Sequence, residues 1–147
     1  MFAFGGGYDP GRASHTVLLE LRRTVKQHPA VQHASGEPSG QFTRVTVMLV
    51  PSILGREVEE ATLTIRWYTG ESANSDPEFA FHYSDSSGFD CGWHYEPNPH
   101  VNGWGHFQER ESADDEYRYE TITFGSLQPI PLLWEIFDRL DDRLSGS

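Results

Sequence analysis

Cysteine occurs once in this chain of 147 residues, at Cys91, and lysine once, at Lys26. A single thiol excludes an internal disulfide and any site built from several thiolates of one chain. No apolar run approaches the roughly 20 residues of a membrane helix, and the opening MFAFGGGYDPGR has neither the basic stretch nor the apolar core of a secretory leader. The chain therefore reads as soluble and cytoplasmic, with no membrane partner. Also missing are GxGxxG, a P-loop, HExxH, paired CxxC and GxSxG. Their absence removes the dinucleotide-binding, nucleotide-hydrolysing, zincin and hydrolase-elbow readings.

What is present is acid: 22 Asp and Glu against 11 Lys and Arg, a formal net charge of −11. Such a carboxylate-rich, lysine-poor composition suits a high-salt cytosol of the haloarchaeal kind, because the Debye length shrinks to about 3 Å at 1 M salt. The competing reading is an acidic protein that repels nucleic acid or binds a basic partner. With 37% hydrophobic and 13% aromatic residues, the chain has enough burial capacity for one domain and is too short for two.

Residues 1–13, with Gly5-Gly6-Gly7 and Asp9-Pro10-Gly11, read as a flexible lead, and 14–147 as one α+β domain. Ser14 is a suitable N-cap for a helix over 15–27, where Val17, Leu18, Leu21 and Val25 share a stripe, and Pro29 stops it. ASGEPSG at 34–40 reads as a loop. Period-two alternation marks strands at 42–50, 61–69, 78–84 and 89–95, with shorter ones near 106–110 and 117–124. Leu133, Ile136, Phe137, Leu140 and Leu144 define a closing amphipathic helix over 130–144. The expectation is an antiparallel sheet of five to six strands with the N-terminal and C-terminal helices packed on one face.

His82, His94, His100 and His106 fall within 25 residues that also hold Asp90, Trp93 and Trp104. Alternation puts Phe89, Cys91, Trp93 and Tyr95 on one side of their strand and Asp90, Gly92 and His94 on the other, with His82 across from or diagonal to Asp90. Imidazole near neutrality can remove one proton and supply another, and Arg66, Arg110 and Arg118 are candidate phosphate holders. That is the chemistry of metal-free RNA cleavage. His94, His100 and His106, with Asp90 and Cys91 close by, also offer metal ligands, although their spacing matches no tight metal signature. The plain alternative is a set of hydrogen-bonding residues in a loop organised by tryptophans.

The run of VTVMLV, TLTIRWY and FAFHY, followed by Phe89-Asp90, Gly92-Trp93-His94, Pro99-His100 and His106, resembles the TumE family of toxins from toxin–antitoxin modules. The resemblance implies a toxin that acts on RNA and is held by a cognate antitoxin protein. On that reading the site is a metal-independent endoribonuclease centre without cofactor. His100 and His106 would share the acid and base roles, Arg110 or Arg118 would hold the phosphate, and Asp90 would orient His82 or His94. Arg66, Trp93 and Trp104 would complete the substrate contacts. A non-enzymatic interaction domain and a His-ligated metal-binding protein stand as alternatives. Carboxylates around the histidines, in place of arginines, would argue against RNA.

Overall fold

A computed structural model describes residues 13–70 and 75–145. The expected lead at 1–13 therefore lies outside the described residues, apart from Ala13, which bridges to Tyr68. Helix α1 spans His15–Val25 and starts where Ser14 Oγ accepts the amide of Val17 at 3.2 Å, so the expected cap is made. Its buried stripe is Leu18, Leu21 and Val25, and Arg22 and Arg23 sit in the last turn, where the helix dipole favours cations.

Seven strands follow among the described residues: β1 Val31–Glu37, β2 Arg44–Leu49, β3 Ala61–Tyr68, β4 Glu78–Asp85, β5 Asp90–Tyr95, β6 Gly105–Arg110 and β7 Arg118–Thr121. Every neighbouring pair is antiparallel and the spatial order is the chain order, a simple meander. Helix α2, Pro129–Ser145, closes the chain and buries Leu132, Leu133, Ile136, Phe137, Leu140 and Leu144. No helix here is long and apolar enough to cross a membrane.

The strand count corrects the expectation of five to six, because residues 31–37 form β1 in place of the expected loop at 34–40. Their loop-like composition is tolerated because β1 is an edge strand, paired only with β2. Gly36 is required there: a Cβ would collide with the ring of Phe42. Arg22 Nε donates to the carbonyl of Ala34 at 3.1 Å and ties the strand to α1.

Both helices cover the same face. Val45, Val47, Leu63, Ile65, Trp67, Phe79, Phe81, Tyr83, Cys91 and Trp93 point to them and join Leu18, Leu21, Leu133, Ile136 and Phe137 in one apolar core. At about 1.5–3 kcal/mol for each fully buried large side chain, this face is the main source of stability. The β4–β5 hairpin sets the register that matters for the other face. Ser84 pairs with Asp90, His82 with Gly92 and Ala80 with His94, so Asp90 is the diagonal neighbour of His82. Gly88, at φ 96°, supplies the left-handed residue of the turn.

Candidate functional site: the histidine face of the sheet

The alternation that sends Phe81, Tyr83, Cys91 and Trp93 to the helices sends their neighbours to the opposite face. One cross-strand row reads Arg66, Ala80, His94, His106 and Thr121; the next reads Thr64, His82, Gly92, Gln108 and Tyr119. Three histidines from three adjacent strands thus share a face without any loop having to bring them together.

They form a connected polar network. Asp90 Oδ1 accepts from His82 Nε2 at 2.9 Å, and Asp90 Oδ2 accepts from Arg110 Nε at 2.7 Å. His82 Nδ1 faces His94 Nε2 at 3.5 Å, and His94 Nδ1 faces Glu96 Oε1 at 3.3 Å. The rings of His94 and His106 stack with centroids 4.9 Å apart. His106 Nε2 lies 3.3 Å from Gln108 Oε1 and 3.5 Å from Asn98 Nδ2, while its Nδ1 makes no hydrogen bond of normal geometry among the described residues.

Burial sets the charge states. His94, Glu96 and His106 are each no more than 1% exposed, whereas the His82 side chain keeps 24% of its surface. Desolvation, then the neighbouring His82 and His106, hold His94 well below the usual imidazole range, so it is neutral. Desolvation also lowers His106, opposed by the Gln108 side chain and the Trp104 carbonyl. For Asp90, burial would raise the pKa, but hydrogen bonds from His82, Tyr117 and Arg110 lower it to about 2. Asp90 is therefore a carboxylate, and it accepts a hydrogen bond from His82 Nε2–H.

One ligand atom from each of His94, Glu96 and His106 lies within 4.8 Å of the other two. These are nitrogen and oxygen donors of the kind that zinc-class ions take, with the imidazoles already neutral.

No family model, curated protein or solved structure matches this chain. Function has to be argued from the site.

The other expected residues separate from this centre in different ways. His100 stacks on Tyr119 at 4.4 Å at the margin of the face. Arg110 is on the face but committed to Asp90, with its guanidinium 4.5 Å from the ring centroid of Tyr117. Arg66 is in the row of His94, where burial lowers its pKa. Arg118 pairs with Glu109 at 2.9 Å, and Glu109 and Cys91 are cross-strand partners on the helix side. Arg118 is thus corrected from a phosphate holder beside the histidines to a member of the Glu109–Arg143 ion cluster. Burial keeps the Cys91 thiol protonated, and its place on the core face removes it from the ligand set.

The tryptophans do not flank the histidines either. Trp93 is a core residue, 3% exposed, and Trp104 packs near Tyr95, a core-face residue. Trp93 instead lines a groove of about 350 Å³ with Phe107, Ile122, Arg139 and Arg143, on the side of the sheet away from His94. Glu96, Gln108, Tyr117 and Gly92 are the residues without an assigned role in the sequence reading. Their signal was the same alternation, extended by one position on β5 to Glu96 and applied to β6 at Gln108.

Proposed function

We propose that this chain is a metal-binding protein that holds a divalent transition-metal ion of the zinc class through His94, Glu96 and His106. The observation that carries the reading is the buried three-residue donor group itself. The three donors converge in a place almost closed to solvent, where a dication would compensate the buried carboxylate. Asp90 and Arg110 anchor the adjoining His82, so the surrounding shell is rigid. A zinc-class ion held by these three residues would supply Lewis acidity. The test is calorimetric titration of the EDTA-treated full chain with ZnCl2 at pH 7.5. Saturable binding that is lost in His106→Ala and in Glu96→Gln supports the reading, and an absence of heat in the wild type refutes it.

A second reading has its own observation. The Asp90–His82 pair, with His82 partly exposed, has the base-and-orienter geometry of metal-free acid–base catalysis. It fits an endoribonuclease toxin held by an antitoxin, with His82 as the base in place of His100. The disposition of the arginines favours the metal reading: Arg110 is committed to Asp90, and Arg118 is on the other face with Glu109. RNA cleavage that persists in EDTA, together with growth arrest relieved by His82→Ala, would reverse the preference.

A further inference from the structure

We infer that His82 and Asp90 are positioning residues for the metal ligand His94: His82 Nδ1 accepts the Nε2 proton of His94, and His94 presents Nδ1 to the ion. The inference rests on the reading that His94, Glu96 and His106 bind metal. To that reading it adds two residues and the coordinating atom of a third.

The two nitrogens of the His94 ring face different neighbours. Nδ1 is 3.3 Å from Glu96 Oε1, and Nε2 is 3.5 Å from His82 Nδ1. Two donors on one tetrahedral zinc-class ion stand about 3.3–3.4 Å apart, so Nδ1 and the Glu96 oxygen are spaced as ligands of one ion. Nε2 is engaged by His82, which leaves Nδ1 as the ligating atom.

The protons then run one way. A neutral imidazole that ligates through Nδ1 carries its proton on Nε2, and burial keeps His94 neutral. His82 Nδ1 accepts that proton, and His82 Nε2–H donates in turn to Asp90 Oδ1 at 2.9 Å. Asp90 ends the chain as a carboxylate held by Arg110 Nε at 2.7 Å and by Tyr117. The opposite direction, with His82 Nδ1 donating, would put the His94 proton on Nδ1 and block ligation there. A hydrogen-bond acceptor behind a ligating imidazole fixes its tautomer and raises its basicity. Here a second imidazole links that acceptor role to the carboxylate.

Gly92 permits the contact between the rings. It is the cross-strand partner of His82, and both rings pack against it: a Cβ there would collide with His82 Nδ1 and stand 2.7 Å from His94 Nε2. A side chain at this position would part the two nitrogens. That accounts for a glycine within a strand, where it is otherwise disfavoured.

The test separates the acceptor from mere bulk. The amide of asparagine reaches the position of the histidine Nδ1, and that of glutamine reaches the position of Nε2. In calorimetric titration of the EDTA-treated full chain with ZnCl2, His82→Ala and His82→Gln should bind zinc roughly 10- to 100-fold more weakly than the wild type. His82→Asn restores an acceptor for His94 Nε2–H and should recover most of that loss. His82 is partly exposed, so all three variants should keep the far-ultraviolet circular dichroism of the wild type. A long-range proton–nitrogen correlation spectrum of the zinc-loaded wild type should show His94 protonated on Nε2 and ligated through Nδ1. Wild-type affinity in His82→Ala, an asparagine variant no better than the alanine one, or a His94 proton on Nδ1 overturns the positioning role while leaving the metal reading intact. No zinc binding by the wild type overturns the metal reading itself.

Discussion

The two faces of this sheet come from the same strands and differ only in which residue of each pair points which way, yet they bury different chemistry. On the helix face, Leu63, Ile65, Phe81 and Trp93 pack against α1 and α2, and burial keeps the ionisable members of that core, Tyr83 and Cys91, in their neutral forms. On the other face, His94, Glu96, His106 and Gln108 are buried just as completely. Apolar burial is non-directional and tolerates adjustment, whereas buried polar groups require partners in fixed places. One face therefore stabilises the fold, and the other spends part of that stability on a preorganised site.

The largest expected effect falls on the helix face. Phe81→Ala should destabilise by about 3–5 kcal/mol, read from urea unfolding, because a fully buried ring is replaced by a cavity. Metal binding by the fraction that remains folded should persist, and its loss would mean that the faces are not separable.

Acidification comes next and acts on the polar face. His94 and His106 have folded-state pKa values below the unfolded one, so the unfolded chain binds more protons between the two. Their contribution is fully present above about pH 6.5 and is lost as pH falls, by up to about 1.4 kcal/mol per pH unit for each proton taken up. His28, lowered chiefly by desolvation between the helices, has the same sign. The urea midpoint in EDTA should fall between pH 7.5 and 5.5, and less so in a His94→Gln, His106→Gln variant. A flat midpoint would contradict neutral buried imidazoles.

Arg110→Ala leaves the Asp90 carboxylate with one fewer donor and should cost about 1–2 kcal/mol after allowance for solvent screening. It should also weaken metal binding by roughly 10-fold or more, through the loosened Asp90–His82 pair. The smallest effect belongs to Ser14→Ala, about 1 kcal/mol from the lost α1 cap, with metal binding unchanged.

Alternation and capping signals made most of the fold legible, since Ser14, the β3 and β4 patterns and the α2 stripe all act through local rules. Strand β1 was not legible, because ASGEPSG has no periodicity and is held as a strand by Phe42 over Gly36 and by Arg22. At the site, the shared face of His82, Asp90 and His94 followed from period two and the hairpin register. The partnership of His94 with His106 did not, because it depends on the β5–β6 register across an irregular segment, 96–104, whose length encodes no pairing. The side taken by Arg118 was equally hidden: it is set by the pairing of Glu109 with Arg118 between β6 and β7.

Metal binding at the histidine face is tested most directly by the thermal unfolding of the full chain with excess ZnCl2 and with EDTA at pH 7.5. An ion bound only by the folded state adds about 2.7 kcal/mol when its free concentration is 100 times Kd. For a domain of this size that raises Tm by several degrees, roughly 5–10 °C. The rise should vanish in His94→Ala and survive in Ser14→Ala. Superimposable melting curves with zinc and with EDTA would contradict the claim that the histidine face is a metal site.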